Sequence, residues 1–157
     1  MRTSKNFELL RSDPARLVAH IPHSMFLGIE IAEIRPSECW IRLAYSERLV
    51  GNPDTGVVAG GVITTLLDQA SGSSVVLSLD EFASIATLDL RIDYMKPATP
   101  GRELIAHAHC YKRTRNIAFV RGTAYHDRQD DPIATSHGTF MLGANRVQPA
   151  VMNAFAP

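Results

Sequence analysis

The sequence predicts an α+β protein in which a six-stranded antiparallel sheet wraps around one long central helix. Two observations carry this prediction. Residues 59–79 are apolar on almost every helical face and contain one charge in 21 residues, which indicates a buried helix. After them come four segments in which apolar and polar residues alternate, separated by short turns. Strands and helices do not alternate along the chain, so we expect no parallel sheet.

The composition is that of an ordinary globular protein. The chain has 157 residues, 45% apolar and 20% charged, and we expect one domain over 1–157 with its core at about 22–142. Sixteen basic residues balance sixteen acidic ones, so no positive field recruits nucleic acid. No apolar run approaches the ~20 residues of a membrane span, and the N-terminus lacks a signal-peptide core, which favours a cytoplasmic location and no membrane partner. Cys39 and Cys110 are expected to be packed thiols.

The elements before the central helix follow from turn and cap signals. Asp13 with Pro14 predicts the start of a cover helix that ends before Pro22. Residues 27–45 alternate on both sides of a Pro36–Ser37 turn, which predicts two paired strands. Turn-forming residues dominate 47–58, so we expect a loop there.

The four strands after the helix are predicted at 86–95, 103–112, 117–126 and 133–142. In the first of them, strict alternation places Leu88, Leu90, Ile92 and Tyr94 on one face and Thr87 on the other. The tail at 144–157 is expected to be loosely ordered.

Asp68 is the strongest candidate for chemistry. A carboxylate in an apolar helix costs several kcal/mol unless it is paired, and Asp is a mediocre helix former, so a specific interaction must hold it there. Spacing alone leaves two interpretations open: a structural hydrogen bond to a Ser, a Thr or a nearby loop, or a catalytic carboxylate.

Gly60 and Gly61 stand where the loop meets the helix, and free amides at a helix start suit an anion or a developing oxyanion. Glycines at this position also serve close packing. Gly60 and Asp68 are about 12 Å and about 80° apart on one helix, too far to converge on one reacting group. Two helices packed antiparallel across a two-fold axis bring them together, so function at these residues requires a dimer.

The pattern as a whole resembles the PaaI-type branch of the hot dog-fold thioesterases. Asn52, then Ala59-Gly60-Gly61, six residues, Asp68 and the strand ATLDLRIDYMKPATPG follow that family's order of asparagine, His-Gly-Gly and helix aspartate. The resemblance spans roughly 22–142. It implies hydrolysis of acyl-CoA thioesters to the free acid and CoA at a subunit interface, by a homodimer or, as is common in the family, a dimer of dimers (a homotetramer).

The resemblance also implies roles for individual residues. Asp68 acts as nucleophile or as base for water, and the Gly60 amide of the other subunit polarises the carbonyl, with Gly61 beside it in the substrate site. Asn52 places the water or carbonyl, and the Thr87 hydroxyl orients Asp68 or water. No cofactor is implied. His20 with His23, and His107 with His109, lack a third ligand, so we expect no metal site.

One departure opens an alternative. Ala59 stands where the family carries histidine, which is compatible with a non-catalytic acyl-CoA-binding protein on the same scaffold. A hydratase is less favoured, because hydratases of this fold use a catalytic histidine and the helix has none. Lys112, Arg113 and Arg115 form a basic cluster that either meets the CoA phosphates or is a solvated hairpin tip.

Overall fold

The computed structural model describes residues 3–143. Within this range the helices are α1 (Lys5–Leu10), α2 (Pro22–Leu27) and α3 (Gly60–Ser78). The strands are β1 (Ile29–Arg35), β2 (Glu38–Leu43), β3 (Val50–Asn52), β4 (Val57–Val58), β5 (Ile85–Tyr94), β6 (Leu104–Arg113), β7 (Ile117–Tyr125) and β8 (Ala134–Leu142). The expected loosely ordered tail at 144–157 lies outside the described residues.

The main sheet has six strands in the order β1-β2-β6-β7-β8-β5, and every neighbouring pair is antiparallel. The α+β prediction is therefore confirmed, and the predicted long strands agree with the structure to within one or two residues. The Pro36–Ser37 turn joins β1 to β2, with Ser37 at φ 64°. Strand β5, which follows α3 along the chain, is last in this order and pairs only with β8 within residues 3–143, so it forms one edge of the sheet.

Helix α3 lies against the inner face of the sheet, and small residues let it approach closely. The buried inward-facing positions of β6 and β7 include Ala106, Ala108, Ala118 and Ala124. A Cβ atom on Gly122 would stand 2.5 Å from Ser136 Oγ and 3.2 Å from Leu67 Cδ2. The sheet side of α3 is thus filled at van der Waals distance.

A β-bulge in β5 changes which of its side chains face α3. Thr87 pairs with Phe140 and Asp89 with Thr139, so Leu88 is an extra residue between them. Strict alternation had placed Thr87 and Tyr94 on opposite faces, and this prediction was wrong. Because the bulge shifts the alternation by one residue, both side chains contact α3.

The N-terminal segment differs from the predicted cover helix. Asp13 makes no side-chain cap, Pro14–Leu17 forms only a 3-10 turn, and Pro22 begins α2 instead of following the end of a helix. Proline suits the first position of a helix, so Pro22 marks the start of α2 and not, as predicted, the end of a preceding helix. Helix α1 was missed, although Ser4 caps it by accepting the Phe7 N–H.

Helix α1 lies over the carboxyl end of α3, whose last carbonyls lack intrahelical donors. Asn6 Nδ2 donates to the Val76 carbonyl at 3.1 Å, and the Ser4 hydroxyl donates to that of Leu77. The N-terminal segment therefore supplies the hydrogen bonds that end the central helix.

The predicted loop at 47–58 contains regular structure as well. Glu47–Leu49 forms a 3-10 turn, and β3 and β4 pair as a short hairpin. The turn formers lie at its tip, while the β-branched Val50, Val57 and Val58 supply the strands. Cys39 and Cys110 are buried free thiols, as expected. No helix within 3–143 is long and apolar enough to cross a bilayer.

Candidate active site

The amino end of α3 presents unpaired backbone donors. Ala59 precedes the helix in an extended conformation and has no side-chain group to cap it. The amides of Gly60 and Gly61, the first residues of the helix, have no intrahelical acceptor, and both residues are exposed. The helix dipole adds partial positive charge here, so the geometry suits a developing oxyanion.

Tyr94 fixes this end of the helix, and the sequence interpretation did not single it out. Its hydroxyl donates to the Gly60 carbonyl at 2.8 Å and lies 2.8 Å from the Thr64 hydroxyl. Tyr94 lies seven residues after Thr87 on β5, an odd spacing that places the two side chains on opposite faces of a regular strand. Only the bulge brings both to the same face. Tyr94 thereby ties the peptide between Gly60 and Gly61 to the sheet edge.

Asp68 lies near the middle of α3, beside the edge strand β5 of the sheet. It is half-buried, although the helix that carries it is predicted to be buried on almost every face. The Thr87 hydroxyl donates to Asp68 Oδ1 at 2.9 Å. Of the two interactions expected for Thr87, with Asp68 or with water, the hydrogen bond to Asp68 is present, and it fixes one of the two carboxylate oxygens.

Asn52 ends β3, near the start of α3. Its Oδ1 accepts the Asp54 N–H at 3.1 Å, and its carbonyl accepts the Gly56 N–H at 2.9 Å. A Cβ on the preceding Gly51 would come within 2.7 Å of Ala59 Cα. The β3–β4 hairpin therefore lies directly against Ala59, the residue before Gly60. The hydrogen bonds of Asn52 to Asp54 and Gly56 shape the turn of this hairpin.

Within one chain the structure brings Asp68 to Thr87, and Gly60 to Tyr94, but it keeps these two pairs apart. Strand β5 runs antiparallel alongside α3, so Ile85 meets Gly72, Thr87 meets Asp68 and Tyr94 meets Gly60 in succession. The eight residues between Gly60 and Asp68 remain about 12 Å of helical rise.

The basic cluster lies at the opposite end of α3 from Gly60. Lys112, Arg113 and Arg115 are exposed. The first two border a pocket of about 160 Å³ whose wall includes Ser78, the last residue of α3. Cys110 also lines this pocket, and burial raises the pKa of its thiol.

Comparisons with known proteins agree with this architecture. A family model described as the thioesterase superfamily matches residues 55–133. The medium/long-chain acyl-CoA thioesterase YigI of Salmonella typhimurium is 29% identical over 141 residues, which cover 80% of this chain and 88% of that relative. The matched region contains Gly60, Asp68 and Thr87.

Two solved structures are similar over most of their length. A Pseudomonas aeruginosa protein is 43% identical with a TM-score of 0.75, covering 85% of this chain and 98% of that one. The PaaI protein of the Escherichia coli phenylacetic acid degradation operon has a TM-score of 0.74 at 15% identity, covering 88% and 93%, a likeness of fold alone. The chain therefore belongs to the thioesterase superfamily and has its hot dog fold.

Proposed function

We propose that this protein hydrolyses acyl-CoA thioesters to the free acid and CoA at a site formed between two copies of the chain. The observation that carries the proposal is the half-buried Asp68 carboxylate on α3, which accepts a hydrogen bond from the Thr87 hydroxyl. Its relatives include proteins named as acyl-CoA thioesterases. A carboxylate and free helix amides are the groups that acyl transfer to water requires.

In the proposed reaction the thioester carbonyl oxygen lies against the Gly60 amide of one protomer, and Asp68 of the other faces the carbonyl carbon. As a base, Asp68 takes a proton from the attacking water while the C–O bond forms. The oxyanion is stabilised by the Gly60 N–H, the C–S bond then breaks, and the departing sulfur takes up the proton. As a nucleophile, Asp68 bonds to the carbonyl carbon while the C–S bond breaks and CoA leaves as a thiolate; water then hydrolyses the mixed anhydride, which releases the free acid, restores the Asp68 carboxylate and supplies the proton that the thiolate takes up.

The uncovered edge of β5 supports a homodimer. Within 3–143, β5 pairs with β8 alone, which leaves its other edge open over ten residues. Leu88 on β5 and Met95 just after its end are exposed large apolar side chains. The unpaired N–H and C=O groups of an edge strand of this length favour hydrogen bonding to a strand of a second copy. A dimer of dimers is the family's common assembly and remains our expectation.

The CoA moiety is assigned to the face of α3 that leads from Asp68 to the basic cluster. Asp68 and Ser78 are ten residues apart, about 15 Å along the helix. Lys112 and Arg113 at that end offer charge for phosphates, with Arg115 on the adjoining turn. This direction keeps the thioester at Asp68 while the nucleotide remains at the surface.

The test measures hydrolysis of a panel of acyl-CoAs through the free thiol that is released. Wild type turns over at least one member, and Asp68→Asn lowers kcat by about a hundredfold or more, because the amide is neither a base nor an effective nucleophile. Asp130→Asn, which changes a carboxylate paired with Arg128 in a surface loop, is the matched control and retains activity. Equal rates for wild type and Asp68→Asn would contradict the proposal.

A second candidate, a non-catalytic acyl-CoA-binding protein, is favoured by Ala59 alone. The site then lacks whatever the family's histidine supplies at this position. Tight binding of acyl-CoAs without any thiol release by wild type would select this candidate. Gain of turnover in Ala59→His would show that the missing side chain is the reason.

A further inference from the structure

We infer that the exposed apolar side chains of α2 and its entry, Ile21, Met25 and Phe26, form the binding surface for the acyl chain of the substrate. This inference rests on the proposed thioesterase function and deepens it. We call these three residues the α2 patch. Their exposed fractions are 37%, 63% and 65%, although they stand on a helix of six residues whose neighbours Ser24 and Leu27 are buried.

Helix α2 is anchored beside the candidate carboxylate. Ser24, only 1% exposed, donates to Gln69 Oε1 at 3.1 Å. Gln69 follows Asp68 on α3, and its Nε2 in turn donates to Ser73 Oγ at 3.4 Å. The patch is therefore carried on a helix fixed within one residue of the catalytic candidate.

The other end of α2 is anchored beside the oxyanion candidate. The Arg48 guanidinium donates to the Phe26 carbonyl at 2.6 Å and lies 5.2 Å from the centre of the Phe26 ring. The next residue, Leu49, accepts the Ala59 N–H at 2.9 Å, and Ala59 leads into Gly60. Helix α2 is thus linked to α3 of its own chain both beside Asp68 and beside Gly60, each of which is proposed to act together with the other group from the partner protomer.

The other side of α3, which packs against the sheet, leaves no room for an acyl chain. The sheet side is closed, since even a methyl group on Gly122 would collide with Ser136. An acyl chain that extends from a thioester at Asp68 therefore has no room between α3 and the sheet at this point, and α2 is the element anchored beside Asp68 on the remaining surface. Covering three exposed apolar side chains lowers the free energy by roughly 25 cal/mol per Å² of apolar surface removed from water. An acyl chain is the ligand whose chemistry matches them.

Arg48 becomes a positioning residue in this arrangement. Its guanidinium holds one face of the Phe26 ring and the end of α2, so the ring offers a fixed surface to the ligand. We therefore expect the preference for acyl-chain length to depend on Arg48, although its guanidinium does not itself contact the acyl group.

The test measures binding of butyryl-, decanoyl- and palmitoyl-CoA by calorimetry in the Asp68→Asn background, which separates binding from turnover. With Met25→Gln and Phe26→Gln together, the ratio of palmitoyl to butyryl affinity falls about tenfold, since polar side chains forfeit the burial of added methylenes. The matched control is Met141→Gln, 37% exposed on β8, which retains the wild-type ratio.

Each contrary outcome has its own meaning. An equal loss of affinity at all chain lengths, or no loss, overturns the α2 patch as an acyl site. Dissociation of the oligomer in the double variant, seen by light scattering, overturns it in favour of a contact with a second copy. Wild type that binds with the predicted chain-length dependence but releases no thiol overturns the proposed function and leaves the inferred binding surface standing.

Discussion

One extra residue in β5, Leu88, decides which side chains reach α3. The bulge places Thr87 opposite the inward-facing Phe140 and lets its hydroxyl donate to Asp68. Bulges at sheet edges often re-aim side chains beside functional sites. The Thr87 hydroxyl is consequently a positioning group, because it acts through the carboxylate it holds.

Replacing Thr87 by the isosteric Val should lower kcat by about 10- to 150-fold, since a hydrogen bond to a charged group contributes about 1.5–3 kcal/mol. Thr87→Ser keeps the hydroxyl and should restore most of the rate. The KM for acyl-CoA should change less than kcat in both variants. If Thr87→Val and Thr87→Ser have the same kcat, the hydroxyl does not position Asp68.

On the outer face of the sheet, His107 is a source of pH dependence. Burial, including the stacked Trp40 ring 4.0 Å away, lowers the pKa of His107 despite its hydrogen bond to Glu38, and His109 and Arg35 oppose its protonation further. The folded state thus binds this proton less readily than the unfolded state, whose pKa is near 6.5. The stabilising contribution is complete above that value and is lost as the pH falls below it.

Urea unfolding at about pH 8 and about pH 5.5 measures this effect. The free energy of unfolding of wild type should fall more over this interval than that of His107→Asn. His137→Asn, an exposed residue on the same face, should behave like wild type. A steeper fall for His107→Asn than for wild type would reverse the assignment.

Single residues could be identified from sequence when their type was out of place. Asp68 stands out as the one charge in an apolar helix, and glycines at the helix start mark free amides. The contact of Thr87 with Asp68 depends on the register of β5 against β8, which no local pattern encodes. Tyr94 was missed for the same reason.

Among the elements, the β3–β4 hairpin controls how the chain enters α3. Gly51 lies so close to Ala59 that a methyl group would stand 2.7 Å from Ala59 Cα. This contact is with the backbone, which cannot turn aside as a side chain can. The hairpin and the first turn of the helix therefore move together.

Gly51→Ala should destabilise the protein by about 1–3 kcal/mol through overpacking and should reduce activity by displacing the Gly60 amide. Gly72→Ala provides the contrast, because its Cβ meets Ile85 Cδ1 at an ordinary 3.5 Å. Alanine inside a helix should there stabilise by about 0.5–1 kcal/mol. Thermal unfolding of both variants checks the pair, and a stable, active Gly51→Ala would refute the coupling.

The elements with a strong period were predictable, since alternation and apolar helical faces reflect burial against the sheet. The short N-terminal helices were not, because they are held by Ser4, Asn6 and Ser24 reaching α3 over long sequence separations. A proline marks a boundary without saying on which side of it the helix lies.

For the whole molecule, the separation of Gly60 and Asp68 makes subunit complementation the decisive measurement. Proline at position 60 removes the proposed N–H donor, and the extended conformation of Ala59 tolerates a following proline. Gly60→Pro and Asp68→Asn should each be inactive alone. Mixed by co-expression, they should recover about a quarter of wild-type activity, because half of the dimers then contain one intact site.

The control for this mixture is each inactive variant co-expressed with itself, at the same total protein. Recovery is expected only if the two groups come from different chains. Absence of recovery in verified mixed dimers would place both groups in one chain and contradict the two-fold arrangement.

The small residues that seat α3 on its sheet have a consequence for how this scaffold can diversify. With no spare volume between helix and strands, a larger or differently shaped substrate cannot be accommodated by enlarging the interior. New selectivity must be acquired on the outer flank of α3, through exchanges in Pro22–Leu27 and the 47–58 hairpin. Chains descended from a common ancestor of this one should therefore diverge fastest there while retaining their alanines beneath the helix.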